Sequence, residues 1–139
     1  MGDVSFLADQ RGYLLDTHTF LWAVQEPARL GRLSRQVIES SETTLYLSAI
    51  SAYEVSYKHR LGKLQDYAFV VENYAEVMRR LSVVDLPIAL AHSYQAGTME
   101  WEHRDPFDRL LVAQAALENL TLITDDERIR SHPWVTTVW

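Results

Sequence analysis

Short apolar runs alternate with longer helical segments along this chain, and that alternation constrains the fold more than any other feature of the sequence. Strands that alternate with helices over short connections favour α/β layers around a mostly parallel sheet. In such a sheet, ligands gather at the carboxyl ends of the strands. The runs that predict strands are residues 12–15, 44–47, 83–84, 120–123 and 134–138.

The segments between these strands predict helices. Ser48 is a candidate N-cap for a helix that Gly62 ends. Pro87 suits the first turn of a later helix, and residues 97–103 predict an irregular loop. The predicted helices are residues 19–24, 34–40, 48–60, 67–81, 88–95 and 105–119, with a helical turn at 125–130.

The length and composition bound the class of protein. The chain has 139 residues, which fits one domain over residues 12–139, preceded by a tail at residues 1–11 that is either native or left from an expression vector. The absence of cysteine excludes disulfides and thiolate metal sites, and it favours a cytoplasmic location. The apolar runs are too short to cross a bilayer, and residues 1–10 lack the basic start of a secretory signal. We therefore expect no membrane association.

The net charge of −6 argues against binding nucleic acid by blanket neutralisation of phosphates, because proteins that do so are usually basic. Two explanations stay open. Either nucleic acid is not the ligand, or the acids are concentrated in a metal site whose cations meet the phosphate.

Two groups of acidic residues directly follow predicted strands. Asp16 ends the first apolar run, and Asp125 and Asp126 come just after the run at 120–123. The alternative is that each of these residues is simply a helix N-cap, a role that aspartate often takes. Spacing alone does not rank Asp125 against Asp126, since one of them can cap the next turn while the other reaches a site.

Two further acids lie on apolar faces of predicted helices. Glu54 shares its face with Ile50, at an offset of four residues, and a buried carboxylate without a partner is costly. Asp108 shares its face with Leu111 and Val112. A salt bridge is the alternative for Glu54. For Asp108 the alternative is a favourable position near a helix N-terminus that Asp105 caps.

The four acids together predict more than each does alone. At about 5 Å and an effective dielectric near 20, each pair of carboxylates repels by roughly 3 kcal/mol. Mg²⁺ and Mn²⁺ remove that repulsion, since they prefer carboxylate and water oxygens. Two such ions about 4 Å apart are the common arrangement for hydrolysing phosphodiesters. The sequence therefore predicts a metal site for phosphodiester chemistry at the carboxyl edge of the sheet.

Four segments of the chain resemble the PIN-domain family, and more narrowly the VapC-type toxins of bacterial toxin–antitoxin pairs. They occur in the order and spacing of that family and cover roughly residue 13 to the C-terminus. The segments are Leu-Leu-Asp-Thr-His-Thr-Phe-Leu-Trp (14–22), Leu-Ser-Ala-Ile-Ser-Ala-Tyr-Glu-Val (47–55) with Arg-Leu-Gly-Lys-Leu (60–64), His-Arg-Asp-Pro-Phe-Asp-Arg-Leu-Leu-Val-Ala-Gln-Ala (103–115) and Leu-Ile-Thr-Asp-Asp (122–126).

The resemblance implies a three-layer α/β/α fold around a parallel five-stranded sheet and a Mg²⁺- or Mn²⁺-dependent endoribonuclease. Asp16, Glu54 and Asp108 match the first three metal-binding acids of the family. The family's Thr-x-Asp pattern makes Asp126 the fourth, with Thr124 as a supporting hydroxyl. Asp105 and Asp125 are further candidates for support. The resemblance also implies RNA as substrate, an antitoxin protein that inserts a peptide arm into the active-site groove, and a homodimer.

Basic residues near these motifs have two interpretations. Arg104 and Arg109 flank the third acid and could contact RNA phosphate, although a surface ion pair explains them equally well. Lys58, Arg60 and Lys63 form a small basic cluster that could steer RNA, although a solvated helix face is the more common explanation for such a cluster. The five histidines show no zinc-like spacing, and none is expected to be catalytic.

Two other functions remain as alternatives. The first is another Mg²⁺-dependent phosphohydrolase, such as a phosphatase with an aspartyl nucleophile. That chemistry usually needs a second aspartate two residues after the first, and position 18 is histidine. The second is a catalytically silent PIN-like binding module, which keeps the fold and the partner groove without turnover.

Overall fold

A computed structural model describes residues 12–139, so the predicted tail at residues 1–11 lies outside the described residues. Five parallel strands form one sheet in the order β3-β2-β1-β4-β5. The expectation of a parallel five-stranded α/β fold is confirmed. The strands are β1 (Tyr13–Leu15), β2 (Leu45–Ser48), β3 (Val84–Leu86), β4 (Thr121–Ile123) and β5 (Thr137–Val138).

Eight α-helices and two short 3₁₀ turns connect the strands of the described chain. The 3₁₀ turns cover Pro27–Arg29 and Gln65–Tyr67. The helices are α1 (Thr17–Gln25), α2 (Arg32–Glu39), α3 (Ala49–Arg60), α4 (Ala68–Glu72), α5 (Tyr74–Leu81), α6 (Leu90–Thr98), α7 (Pro106–Glu118) and α8 (Glu127–Arg130). Over the range that the structure describes, every helix falls short of the length and apolar character needed to cross a membrane.

Alternating side chains of the strands separate the core into two apolar clusters, one on each face of the sheet. Leu15 of β1 packs into the cluster formed with α1 to α5, whereas its neighbour Leu14 packs into the cluster formed with α6 and α7. Successive side chains of a strand point to opposite faces, so a strand covered by helices on both sides must be apolar throughout. The three-layer arrangement follows from this pattern.

The strand order reverses direction at β1. The chain builds β2 and β3 on one side of β1, and then crosses over to build β4 and β5 on the other side. Residues that follow β1 and β4 therefore meet at the same edge, where the backbone N–H of Asp16 donates to the carbonyl of Ile123 at 3.1 Å. This is the topological switch point at which ligands of open α/β sheets bind.

Two predicted helices were placed wrongly. The helix predicted for residues 67–81 is broken at Asn73, whose side-chain amide donates to the carbonyl of Phe69 and whose backbone leaves the helical region. The helix predicted for residues 88–95 begins instead at Leu90 and reaches Thr98, because the ring of His92 accepts the backbone N–H of Ala89 and closes the helix start there.

The boundaries of two strands also differ from the prediction. The third strand lies at Val84–Leu86 rather than at residues 83–84, because a residue that precedes a proline favours extended backbone. The last strand is shorter than the predicted residues 134–138. The backbone N–H of Trp134 donates to the ring of His132 instead of joining the sheet.

Candidate active site

Asp16 lies between β1 and α1 at the switch point, and its carboxylate is buried. It does not cap α1 with its side chain, so the N-cap alternative fails for the carboxylate. The hydroxyl of Thr124 donates to its Oδ2 at 2.6 Å. The pKa of Asp16 is raised to about 6. Burial is the largest cause and raises it, the hydrogen bond from Thr124 lowers it, and the charge of Asp108 raises it. Without a bound cation, ionisation of Asp16 therefore costs more free energy than ionisation of an aspartate in water.

Glu54 lies on the inner face of α3 and is buried, as its apolar face predicts. Its Oε2 accepts a hydrogen bond from Lys58 Nζ at 2.5 Å, one helical turn further along. The salt bridge that the sequence left open as an alternative is therefore present. Burial, the largest single contribution, lowers the pKa of Lys58, but the hydrogen bond and charge of Glu54, followed by the charges of Asp105 and Asp108, outweigh it and raise that pKa above its usual value.

Asp108 lies in the first turn of α7, and Asp105 caps that helix by accepting the backbone N–H of Phe107 at 2.8 Å. His103 Nε2 and Asp108 Oδ2 are 2.6 Å apart. Burial raises the pKa of Asp108 above its usual value. The hydrogen bond to His103 lowers it, and the charges of Asp105 and Asp126 raise it further.

The two acids after β4 have different positions. Asp125 is exposed, whereas Asp126 is half-buried and caps α8 by accepting the backbone N–H of Arg128 at 2.9 Å. The backbone N–H of Asp126 also donates to the hydroxyl of Thr124 at 3.0 Å, which ties it to the group that holds Asp16. The negative charge of Asp126 also raises the pKa of Asp108. Of the two, Asp126 is the one directed toward the other acids.

The structure thus brings Asp16, Asp108 and Asp126 to one edge of the sheet as electrostatic neighbours. Glu54 is connected to this group through Lys58, on which the charges of both Glu54 and Asp108 act. Their oxygens are not already arranged around a common point. Among the described residues, the three candidate ligands that lie within 4.8 Å of one another are His103, Asp105 and Asp108. Carboxylate and hydroxyl oxygens suit Mg²⁺ and Mn²⁺, and a buried acid with a raised pKa is one that a cation would stabilise. The residues therefore fit a hard divalent ion after rotation of side chains.

Arg109 does not fit the expected contact with RNA phosphate. Its guanidinium is half-buried and donates four hydrogen bonds to backbone carbonyls, which leaves it occupied by the protein itself. This arginine holds the loop between α6 and α7 in place. The four carbonyls belong to Ala96, Met99, Trp101 and His103. Arg104 is exposed, and its contact with RNA stays a prediction.

Sequence reasoning missed two residues that take part in the site. Lys58 was assigned to a solvated face, although a lysine four residues after a glutamate is a common ion-pair spacing on a helix. His103 lies in a loop, where no periodicity indicates the direction of a side chain. Its Nδ1 is 3.3 Å from a guanidinium nitrogen of Arg128, so the ring connects that arginine to Asp108.

Comparison with known proteins gives a family and a close relative by sequence. The sequence profile of the PIN domain matches residues 13–135. Ribonuclease VapC22 from Mycobacterium tuberculosis (strain ATCC 25618 / H37Rv) is 33% identical over 135 residues, and the alignment covers 91% of this chain and 97% of that protein.

Solved structures with low sequence identity have the same fold. VapBC2 from Rickettsia felis, bound to a DNA fragment from its promoter, gives a TM-score of 0.66 at 18% identity. DNA-bound VapBC from Salmonella typhimurium gives 0.65 at 16%, and FitAcB from Neisseria gonorrhoeae gives 0.58 at 22%. Each comparison covers 91% of this chain and 96% of the other.

Proposed function

This chain belongs to the PIN-domain family, and from that premise we propose that it is a Mg²⁺- or Mn²⁺-dependent endoribonuclease acting as the toxin of a toxin–antitoxin pair. One observation carries the proposal: at the switch point of the sheet the charge of Asp108 acts on Asp16 and the charge of Asp126 acts on Asp108, while burial is the main cause that raises the pKa of Asp16 to about 6. A structural role does not require such a cluster, whereas a hard cation does.

The four acids share one role in the proposed reaction, and Thr124 supports them. Asp16, Glu54, Asp108 and Asp126 would hold the cation, which when bound lowers the pKa of a water and stabilises the charge that develops on the phosphate. Thr124 fixes Asp16 by donating to Oδ2, and it accepts the backbone N–H of Asp126. This hydroxyl therefore orients two of the proposed ligands, as residues behind metal ligands commonly do.

The relatives support the substrate class. The relative that is 33% identical over most of both chains is a ribonuclease. RNA as substrate is consistent with a net charge of −6, because a cation at the acids would meet the phosphate in place of a basic surface. Arg104, which is exposed near the start of α7, is our candidate for a direct phosphate contact. We propose a cytoplasmic location, where such RNA is available.

An antitoxin protein is the proposed partner. The fold is that of the VapBC and FitAcB structures, and an apolar groove of about 320 Å³ lies between α3 and the pair α4 and α5. The lining includes Tyr53 and Tyr74, which are largely exposed. Tyr53 also contacts the ring of Phe107, the residue before Asp108. A partner segment in this groove would therefore lie next to the acids.

A homodimer is also part of the proposal. Leu90 and Tyr94 lie one turn apart on α6, and their side chains are 88% and 73% exposed. Two large apolar side chains on one helix face offer a contact surface for a second copy. Size-exclusion chromatography with light scattering tests the oligomeric state. A wild-type protein that stays monomeric at high concentration contradicts this part of the proposal.

One observation favours the silent binding module as a second candidate. The ion pair between Lys58 and Glu54 satisfies one of the four acids without a metal. Such a protein would keep the partner groove and fold, and it would not cleave RNA.

An RNA cleavage assay separates the two candidates. We expect the purified protein to cleave total cellular RNA with Mg²⁺ or Mn²⁺ and to be inactive with EDTA. Asp16→Asn should lower cleavage by at least about 100-fold, since it removes a charged ligand. Asp66→Asn, which changes an exposed aspartate away from the site, is the matched control.

The same assay distinguishes the two acids after β4. Asp126→Asn should reduce cleavage and Asp125→Asn should not, because Asp126 is the one joined to Thr124. Cleavage by Asp16→Asn at the wild-type rate, or the absence of cleavage by the wild type under every metal condition, would refute the enzyme.

A further inference from the structure

Lys58 is the cation that the acidic edge of the sheet already contains. Its ammonium is 2.5 Å from Glu54 Oε2, and the side chain is 30% exposed. The charges of Asp105 and Asp108 act on the same group. The Glu54 carboxylate therefore contacts the ammonium directly, and the charges of two further acids add to the negative potential at that position.

Contacts with two neighbours favour this position of the Lys58 side chain. Lys58 shares α3 with Glu54 and lies one turn away, so a movement of the helix carries both residues together. Its Nζ also lies 5.5 Å from the centre of the Phe107 ring, which favours a cation there. Glu54 is buried, so an unpaired carboxylate at this place would be costly.

The other half of the acidic edge has no comparable cation. In the described chain, no salt bridge joins Asp16 to a lysine or arginine, and its carboxylate is supported by the hydroxyl of Thr124 and the backbone N–H of Thr17. Asp108 has a histidine partner, and the guanidinium of Arg128 is 3.7 Å from Asp126 on a side chain that is mostly exposed. The two buried acids thus differ: Glu54 has a basic partner in direct contact, whereas Asp16 has none among the lysines and arginines of the described chain, and Arg128 meets Asp126 from an exposed position.

We propose that the Lys58 ammonium takes the place of a second metal ion beside Glu54, so that this chain binds a single divalent cation, on the side of Asp16, Asp108 and Asp126. This inference rests on the proposed metal-dependent function and specifies which groups supply the positive charge that binds a phosphate. A divalent ion and a lysine then supply the positive charge that two metal ions supply in a two-metal nuclease. In this arrangement Glu54 contributes by holding Lys58, in place of the direct contact with the ion that the family resemblance assigns to it.

Mn²⁺ binding followed by electron paramagnetic resonance tests the proposal without measuring activity. Free Mn²⁺ counted during a titration gives the stoichiometry, and two ions about 4 Å apart give a coupled spectrum that an isolated ion does not. We expect one uncoupled Mn²⁺ per wild-type chain. Lys58→Met, which removes the charge and keeps the length of the side chain, should bind two and show the coupled spectrum.

Three further variants control the experiment. Lys58→Arg keeps a positive charge and should bind one ion. The double variant Lys58→Met/Glu54→Gln leaves no unpaired buried charge, so it should fold and should also bind one ion. Lys63→Met changes an exposed lysine on the turn after α3 and should bind one ion like the wild type.

The outcomes separate this inference from the proposed function. Two coupled Mn²⁺ ions in the wild type overturn the inference, and so does a single ion in a folded Lys58→Met variant. If Lys58→Met does not fold, Lys58→Gln takes its place, because its amide still donates a hydrogen bond to Glu54 without carrying a charge; it should bind two ions, and a single ion in it would overturn the inference. A wild type that binds no Mn²⁺ and cleaves no RNA refutes the proposed function itself.

Discussion

Arg109 and Asp16 both carry a charged group into the interior, and the protein treats them in opposite ways. Four backbone carbonyls accept hydrogen bonds from the Arg109 guanidinium. Asp16 is more deeply buried, and although the hydroxyl of Thr124 and the backbone N–H of Thr17 support its carboxylate, its pKa rises to about 6. The protein thus compensates the charge of Arg109 with four acceptors, whereas its support of the Asp16 charge falls short of the cost of burial. A cation at Asp16 would supply the missing stabilisation.

The largest effect on stability is expected at Arg109. Arg109→Met should lower the free energy of unfolding by roughly 3 kcal/mol, because four carbonyls lose a charged donor and some of them stay out of water. Urea denaturation monitored by circular dichroism measures the change. The free energy of unfolding of Arg109→Lys should lie between those of the wild type and Arg109→Met, since an ammonium offers fewer donors than a guanidinium. A loss below about 1 kcal/mol would remove the contrast with Asp16.

Asp16 should give a change of the opposite sign. Without divalent metal at neutral pH, Asp16→Asn should raise the free energy of unfolding by up to about 3 kcal/mol, because it removes a charge whose pKa burial raises from 3.8 to about 6. Urea denaturation in EDTA measures it. Adding Mg²⁺ should stabilise the wild type and not the variant. A variant less stable than the wild type in EDTA would mean that the Asp16 charge serves the fold.

A smaller effect is expected from pH. A raised pKa in the folded state contributes stability that is fully present below the unfolded pKa and is lost as pH rises through the folded pKa of about 6. The metal-free wild type should therefore lose about 1 kcal/mol between about pH 5 and pH 7 through Asp16. The raised pKa of Asp108 acts in the same direction. Denaturation of Asp16→Asn over this range should show a shallower slope, and parallel slopes would contradict the assignment.

The smallest effect is expected at the hydroxyl that supports Asp16. Thr124→Val keeps the shape of the side chain and removes the donor to Asp16, so it should cost about 1 kcal/mol and weaken Mg²⁺ binding. Calorimetric titration with Mg²⁺ measures the affinity. Thr98→Val, at an exposed threonine of α6, is the matched control. Unchanged affinity in Thr124→Val would show that Asp16 needs no orientation by this hydroxyl.

Most of the strands and the start of α7 could be predicted because the sequence patterns that indicate them are local. Leu14 and Leu15 belong to an apolar run that ends at Asp16, and Asp105 followed by proline marks the start of α7. The break at Asn73 could not be predicted, because the apolar spacing continues through it and only the competing side-chain hydrogen bond reveals it.

The acids of the site were predictable in position but not in their partners. The spacing of Glu54 and Lys58 permits an ion pair, and it equally permits two side chains that point apart. The contact between His103 and Asp108 depends on the path of the loop that Arg109 holds. A loop path is fixed by contacts with distant carbonyls, so no short stretch of sequence determines it.

The hydrogen bond between Thr124 and Asp16 joins residues 108 positions apart, and it crosses from the last third of the chain to the first strand. A ribosome must therefore translate β4 and release it from the exit tunnel before Thr124 can meet Asp16 and the candidate site can assemble. Pairing of strands so distant in sequence is also slow relative to local folding. A nascent or truncated chain that stops before β4 therefore lacks this site, which forms only when synthesis is nearly finished.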